Sequence, residues 1–162
     1  MRVVSCLFTE HNLWLVALAA VVCVLGSGIT FGLYSRARER TGTQMAGWAF
    51  LTAVAAGSSI WCTHFIAMLA YEVAAPVAFD PLLTMASLVV AIVGCGTGFC
   101  LSALNTKRFS PELGGGVVGL STPTMHYTGM AAYDVHGLVE WNTVYVAVSI
   151  AIAAAVSALA VR

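Results

Sequence analysis

Two apolar stretches of the chain carry a histidine and a methionine at the same spacing. One reads CTHFIAMLAYE around His64, and the other reads TMHYTGMAAYD around His126. In each stretch a methionine, Met68 or Met130, follows the histidine by four residues, which places both side chains on one face of a helix. Thioethers are soft ligands that select Cu(I), and imidazole suits copper, zinc, iron and nickel. The two His/Met pairs therefore predict copper binding before zinc or magnesium.

The two stretches correspond to each other at an offset of 62 residues. At that offset the following pairs meet: Gly57 and Gly119, His64 and His126, Met68 and Met130, Tyr71 and Tyr133, Glu72 and Asp134. Each histidine precedes its acidic residue by eight positions, a rise of roughly 12 Å along a helix. The sequence therefore predicts both imidazoles at one depth, where they can share an ion if the two faces meet.

The composition indicates that lipid is the solvent of this chain. Hydrophobic residues make up 60% of the 162 positions, charged residues only 9%, and the mean hydropathy is +0.91. Five uncharged runs approach or exceed the roughly 20 residues that a membrane helix needs. They are Leu13–Tyr34, Trp48–Tyr71, Leu82–Leu104, Leu113–Tyr133 and Thr143–Val161. We predict an all-α integral membrane bundle of five transmembrane helices. A net charge of zero gives no reason to expect a nucleic-acid partner.

The basic residues predict the orientation of the bundle. Most of them follow the first, third and fifth runs: Arg36, Arg38 and Arg40, then Lys107 and Arg108, then Arg162. Arg2 alone falls on the other side. Because positive loops stay in the cytoplasm, the N-terminus is expected outside. The expected location is the bacterial cytoplasmic (inner) membrane, crossed several times.

The first and third runs repeat each other more weakly, at an offset of 70 that pairs Gly26 with Gly96 and Gly28 with Gly98. The predicted organisation is one domain over residues 1–162 that contains three units. They cover about residues 10–72, about 80–134 and, in part, about 140–162. The third unit has the acid-then-Thr entry of the second, Glu140 and Thr143, but lacks a second helix. We therefore expect the chain to be cut short before a sixth helix.

These motifs resemble a known family. MHYTGM at 125–130 resembles the signature of the MHYT domain, a bacterial integral-membrane sensor domain, and THFIAM at 63–68 resembles a degenerate copy of it. The resemblance covers essentially the whole chain. It implies copper ligands at His64, Met68, Met125, His126 and Met130. It also implies sensing of O₂, CO or NO, or of redox state, and a cytoplasmic signalling domain or partner protein that carries the output.

Other functions are compatible with the same residues. His64 and His126, at one depth on different helices, could instead be axial ligands of a haem b. A small copper-handling transporter and a purely structural membrane module are further alternatives. His11, at the outer mouth of the first run, is either a third imidazole near the site or an exposed interfacial residue. We do not expect an enzyme, because the sequence contains no acid/base pair, nucleophile–base arrangement or phosphate loop in a plausible setting.

Overall fold

The computed structural model describes residues 11–71, 77–103, 110–135 and 142–161. Within them the elements, in chain order, are α1 (Leu13–Arg38), α2 (Gly42–Ala70), β1 (Val77–Phe79), α3 (Pro81–Ala103), α4 (Ser110–Ala131), β2 (Tyr133–Val135) and α5 (Thr143–Ala160). Each helix packs chiefly against the helices that precede and follow it in sequence. The predicted all-helical bundle is confirmed, and the small sheet is an addition to it.

The surface of the bundle is suited to lipid. Large apolar side chains face outward, with Trp14 86% exposed and Leu82 78% exposed. Within the described residues α1, α2, α3 and α5 are long and apolar enough to cross a membrane. The predicted fourth span corresponds to α4, which does not reach the same hydropathy, because glycine, serine, threonine and Pro123 replace aliphatic residues along it.

Three helices begin in the same way. The side-chain oxygens of Asn12 and Asn142 each accept the backbone N–H groups two and three residues later. Asp80 accepts the N–H of Leu83 at 2.8 Å. Such caps satisfy amides that the helix itself leaves unpaired. The third cap is Asn142, whereas Glu140, expected from the sequence, lies outside the described residues.

Contacts between helices repeat along the chain as well. A Cβ added to Gly57 would lie 2.6 Å from Ile92 Cα, and one added to Gly119 would lie 2.6 Å from Ala154 Cα. In the same way Gly26 of α1 abuts Ser59 of α2, and Gly94 of α3 abuts Ser121 of α4. Glycine permits this close approach, which stabilises helix pairs in lipid. The contacts relate α1 to α3 at an offset of 68, two residues less than the offset of 70 expected from the sequence.

Three consecutive glycines, Gly114, Gly115 and Gly116, lie in the first turns of α4. Gly114 lies against Gly98 and Ser102 of α3. Gly115 lies against α5, where an added Cβ would be 2.8 Å from Ala158 Cα. Gly116 faces open space. Two of the three glycines therefore bring α4 close to its neighbours.

A second repeated arrangement closes one end of the bundle. β1 and β2 pair antiparallel, with Phe79 opposite Tyr133 and their rings 5.4 Å apart. His11 and Tyr71 form an isolated antiparallel bridge, with rings 5.1 Å apart. These two pairs occupy equivalent positions at the ends of α4 and α2. The end with the sheet corresponds to the predicted outer face.

The arginines Arg36, Arg38 and Arg40 lie at the other end, where α1 turns into α2. The other basic residues used for orientation, Arg2, Lys107, Arg108 and Arg162, lie outside the described residues, as does Glu72. The direction in which the N-terminus faces therefore stays a prediction.

Candidate metal-binding site

The two histidines meet inside the bundle. The Nδ1 atoms of His64 on α2 and His126 on α4 are 3.3 Å apart. Their ring centroids are 4.8 Å apart, and the ring planes are inclined at 72°. The two imidazoles, which were predicted to lie at one depth, therefore meet in the structure.

The aromatic residue that follows each histidine supports its ring. Phe65 lies 5.1 Å from the His64 ring, edge to face, and Tyr127 lies 5.0 Å from the His126 ring in a similar way. Phe65 is buried and also contacts Phe79 of β1, at 5.7 Å between ring centroids. The aromatic contacts thus connect the sheet at the end of the bundle to His64.

Gly129 shapes the environment of the His64 ring. A Cβ at position 129 would lie 2.7 Å from His64 Nε2 and 3.1 Å from Cδ2, too close for the ring to stay in place. Nε2 is buried and has no hydrogen-bond partner. Thr63 Oγ1 beside it on the chain is in the same situation. Buried polar atoms are nearly always paired. These two atoms are therefore unsatisfied hydrogen-bonding groups, which a ligand could pair.

A cavity of about 470 Å³ extends from the histidines between α1, α2, α4 and α5. Met125 lines it together with both histidines and is only 1% exposed. Met125 and His126 are separated by about 100° around the axis of α4. Both line the cavity, because the cavity borders a wide arc of that helix. Met68 and Met130 are partly buried and do not line this cavity. The structure thus joins three of the five ligands implied by the resemblance.

His11 lies apart from this cavity. Its ring packs on Tyr71, in the position that Phe79 takes on Tyr133. Among the described residues, histidine, cysteine and acidic side chains form no group of three or more that could hold a metal ion. A metal bound by His64 and His126 would therefore need a thioether or an external ligand to complete its coordination.

The separation of the two nitrogens suits a small ion. Two nitrogens, each about 2.0 Å from one ion and at a tetrahedral angle, stand about 3.3 Å apart. The same 3.3 Å also suits a hydrogen bond in which one imidazole N–H donates to the other ring. The shared ion requires both imidazoles to be neutral, and the hydrogen bond requires at least one acceptor nitrogen. The sulfur of Met125 in the same cavity favours a soft cation.

Sequence reasoning did not identify Gly129 or Thr63 as parts of the site. Gly129 belongs to the MHYTGM stretch. At the offset of 62 its counterpart is Ala67, so the glycine is not repeated. A glycine one position before Met130, the methionine that repeats the spacing, is the signal that could have identified it. Pro123 is buried, lies within a continuous α4 and lines the cavity.

Comparison with known proteins identifies the family. Residues 57–116 and 119–162 match the MHYT family, described as a bacterial signalling protein N-terminal repeat. Each matched repeat begins in a histidine-bearing helix, and their starts differ by the same offset of 62 that the sequence showed.

Several curated proteins are similar to this chain. An uncharacterised signalling protein of Caulobacter vibrioides is 38% identical over 91% of the chain and 18% of its own length. The bifunctional diguanylate cyclase/cyclic di-GMP phosphodiesterase MucR of Pseudomonas aeruginosa is 31% identical over 95% of the chain and 23% of its own length. Cyclic di-GMP phosphodiesterase NbdA of the same species is 34% identical over 73% and 15%.

The chain thus spans less than a quarter of the length of these relatives. No solved structure matches it. With two matched repeats covering more than half of its residues, the chain belongs to the MHYT family of bacterial signalling proteins and is a multi-pass membrane protein.

Proposed function

We propose that this chain is the membrane-embedded sensor region of a signalling protein and that it binds copper between α2 and α4. The observation that carries the proposal is the 3.3 Å approach of the two Nδ1 atoms, delivered by separate helices at equivalent positions of two repeats. His64 and His126 supply the nitrogen ligands. Met125 supplies a thioether from the same cavity. Met68 and Met130, each four residues after a histidine, are the remaining candidate ligands.

The donor set fits copper better than other metals. Imidazole and thioether ligands without a carboxylate favour Cu(I) over zinc, calcium or magnesium. Copper would supply an electron-rich centre for a diatomic ligand (O₂, CO or NO), or a redox couple. The residues around the two histidines hold both rings by aromatic contacts, and Nδ1 of each ring faces the other. Low pH is expected to weaken binding, because imidazole must be neutral to coordinate a metal.

In this proposal all five helices span the inner membrane and the N-terminus faces outward. α4 is included because it packs between α3 and α5 and carries its histidine at the level of the histidine of α2. A change in the separation of the two rings would shift α2 relative to α4. The names of two relatives support cyclic di-GMP turnover as the output chemistry, carried by an attached domain or a partner protein. The membrane region itself is proposed to have no catalytic activity.

A direct contact between the imidazoles disfavours the haem alternative. Axial ligands stand on opposite faces of a porphyrin, so the macrocycle would have to pass between rings whose centroids are only 4.8 Å apart. A transporter receives little support either. In the described helices, charged side chains occur only near the ends, which leaves no obvious coupling group in the middle.

Metal and haem analysis of the detergent-purified chain tests the proposal. We expect about one copper per chain and no haem absorption in the wild type. The double variant His64→Ala/His126→Ala is expected to lose the copper, while Met85→Leu, a control at an exposed position of α3 outside the cavity, is expected to keep it. Equal copper in the wild type and the double variant would overturn the proposal. Iron with a Soret band would favour the haem reading.

A further inference from the structure

The end of the bundle opposite the sheet carries a compact group of arginines in a fixed arrangement. Arg36, Arg38 and Arg40 fall within five residues that contain one acid, Glu39. The Arg36 guanidinium lies 5.2 Å from the Trp48 ring centroid. The Arg38 guanidinium lies 5.8 Å from the ring of Tyr34. Such cation–π contacts hold these two guanidinium groups against the bundle.

A surface hollow of about 500 Å³ lies beside this group and is distinct from the metal-binding cavity. The residues that line it are Arg40, Gln44, Gly47, Trp48 and Leu51. Gln44, Gly47, Trp48 and Leu51 lie along one face of the first turns of α2, and Arg40 lies in the turn that precedes the helix. A side chain at position 47 would meet nothing within 4 Å, so Gly47 creates the open space of the hollow.

Polarity in the hollow changes along the helix axis. Arg40 and Gln44 offer N–H donors at one end, whereas Trp48 and the half-exposed Leu51 form an apolar wall farther into the bundle. The helical part of the hollow, from Gln44 to Leu51, is about 10 Å long, roughly the distance from a lipid headgroup into the first half of its acyl chain. A free anion would use only the polar end, but a phospholipid matches both.

We propose that this hollow binds one anionic phospholipid, with its phosphate at Arg40 and Gln44 and an acyl chain along Trp48 and Leu51. Arginine binds phosphate oxygens through a planar fork of donors. Basic residues beside a membrane helix attract anionic lipids with a strength of about fivefold in affinity per side chain. The site is independent of the proposed copper site and rests on different residues.

Native mass spectrometry of the full 162-residue chain tests the proposal with phosphatidylglycerol and phosphatidylcholine of identical acyl chains. The wild type is expected to bind phosphatidylglycerol at least about fivefold more tightly. Arg40→Gln should reduce that preference about fivefold. Gly47→Leu, which fills the hollow and keeps every charge, should weaken binding of both lipids. Arg38→Gln removes the same charge outside the hollow and should retain the preference.

Two results would overturn the lipid site. The first is an equal loss of preference in Arg40→Gln and Arg38→Gln with no effect of Gly47→Leu, because this pattern indicates diffuse attraction by charge. The second is displacement of phosphatidylglycerol by millimolar inorganic phosphate, because this indicates a site for a free anion. Circular dichroism checks the fold of each variant, and if Arg40→Gln does not fold, the Gly47→Leu result decides.

Discussion

The helices α2 and α4 carry the two histidines at equivalent positions, but their support differs. In α2 the indole N–H of Trp61 donates to Ser87 Oγ of α3 at 3.0 Å, and Ser87 is fully buried. The counterpart of Ser87 in α5 is Ser149, which is exposed and lies 3.4 Å from the Tyr127 hydroxyl. The counterpart of Trp61 is Pro123, which cannot make such a bond.

The helices that follow α2 and α4 in sequence differ in how many of their residues are buried. α3 lies between α2 and α4 and has six buried residues, whereas α5 has no buried residue within Thr143–Ala160. The glycine contacts and the helix caps are thus the same in both repeats. The side-chain hydrogen bonds and the burial of the following helix differ. We infer that His64 stands on the more rigid half of the site and His126 on the more adjustable half.

The largest expected effect comes from placing a β-branched residue at the paired glycines. Gly57→Val should lower the free energy of unfolding by about 3 kcal/mol, because α3 is held on both sides and cannot retreat. Gly119→Val should cost only about 1 kcal/mol, because α5 can shift outward. Thermal unfolding in detergent measures both. Gly28→Val is the control, since nothing lies within 4 Å of a Cβ there. Equal losses at positions 57 and 119 would remove the inferred difference in rigidity.

A smaller effect is expected at Gly129, which stands where α2 has Ala67. Gly129→Ala should displace the His64 ring and lower copper affinity about tenfold, as changes around metal ligands commonly do. Ala67→Val, at the equivalent exposed position of α2, should leave the affinity unchanged. Competition with a copper chelator gives both values. An unaltered affinity in Gly129→Ala would show that the ring position at His64 does not limit binding.

The smallest effect is expected at the paired serines. Ser87→Ala removes one of the two acceptors of the Trp61 indole, the other being Thr84 O at 3.2 Å, and should cost about 0.6 kcal/mol. Ser149→Ala should have no measurable effect on thermal unfolding, because its contact is long and exposed. A larger loss at Ser149 than at Ser87 would reverse the comparison.

Much of the fold follows from the sequence because lipid imposes simple rules. Each predicted run lies within a few residues of an observed helix, but α2 begins at Gly42 rather than Trp48. Polar residues before Trp48 remain helical beyond the apolar run, which a search for apolar runs does not detect. The β1–β2 sheet was not predicted, since each strand has three residues and its pairing depends on where α2 and α4 end.

The site was predictable in part for a similar reason. Helical periodicity and the offset of 62 brought His64 and His126 to one level, and the structure joins them. Periodicity could not decide among the methionines, because a face defined on one helix does not show how widely a cavity between four helices opens. For this reason Met125 reaches the cavity, while Met68, on the same predicted helix face as His64, does not.

A double-mutant cycle of Cu(I) affinity with His64→Ala, His126→Ala and the double variant tests most directly whether one ion is shared. Residues that bind the same ion are strongly coupled, so each single substitution should remove most of the affinity and the second should add little. The expected coupling energy is about 2 kcal/mol or more. Losses that simply add, or single variants that keep the affinity of the wild type, would contradict the shared site.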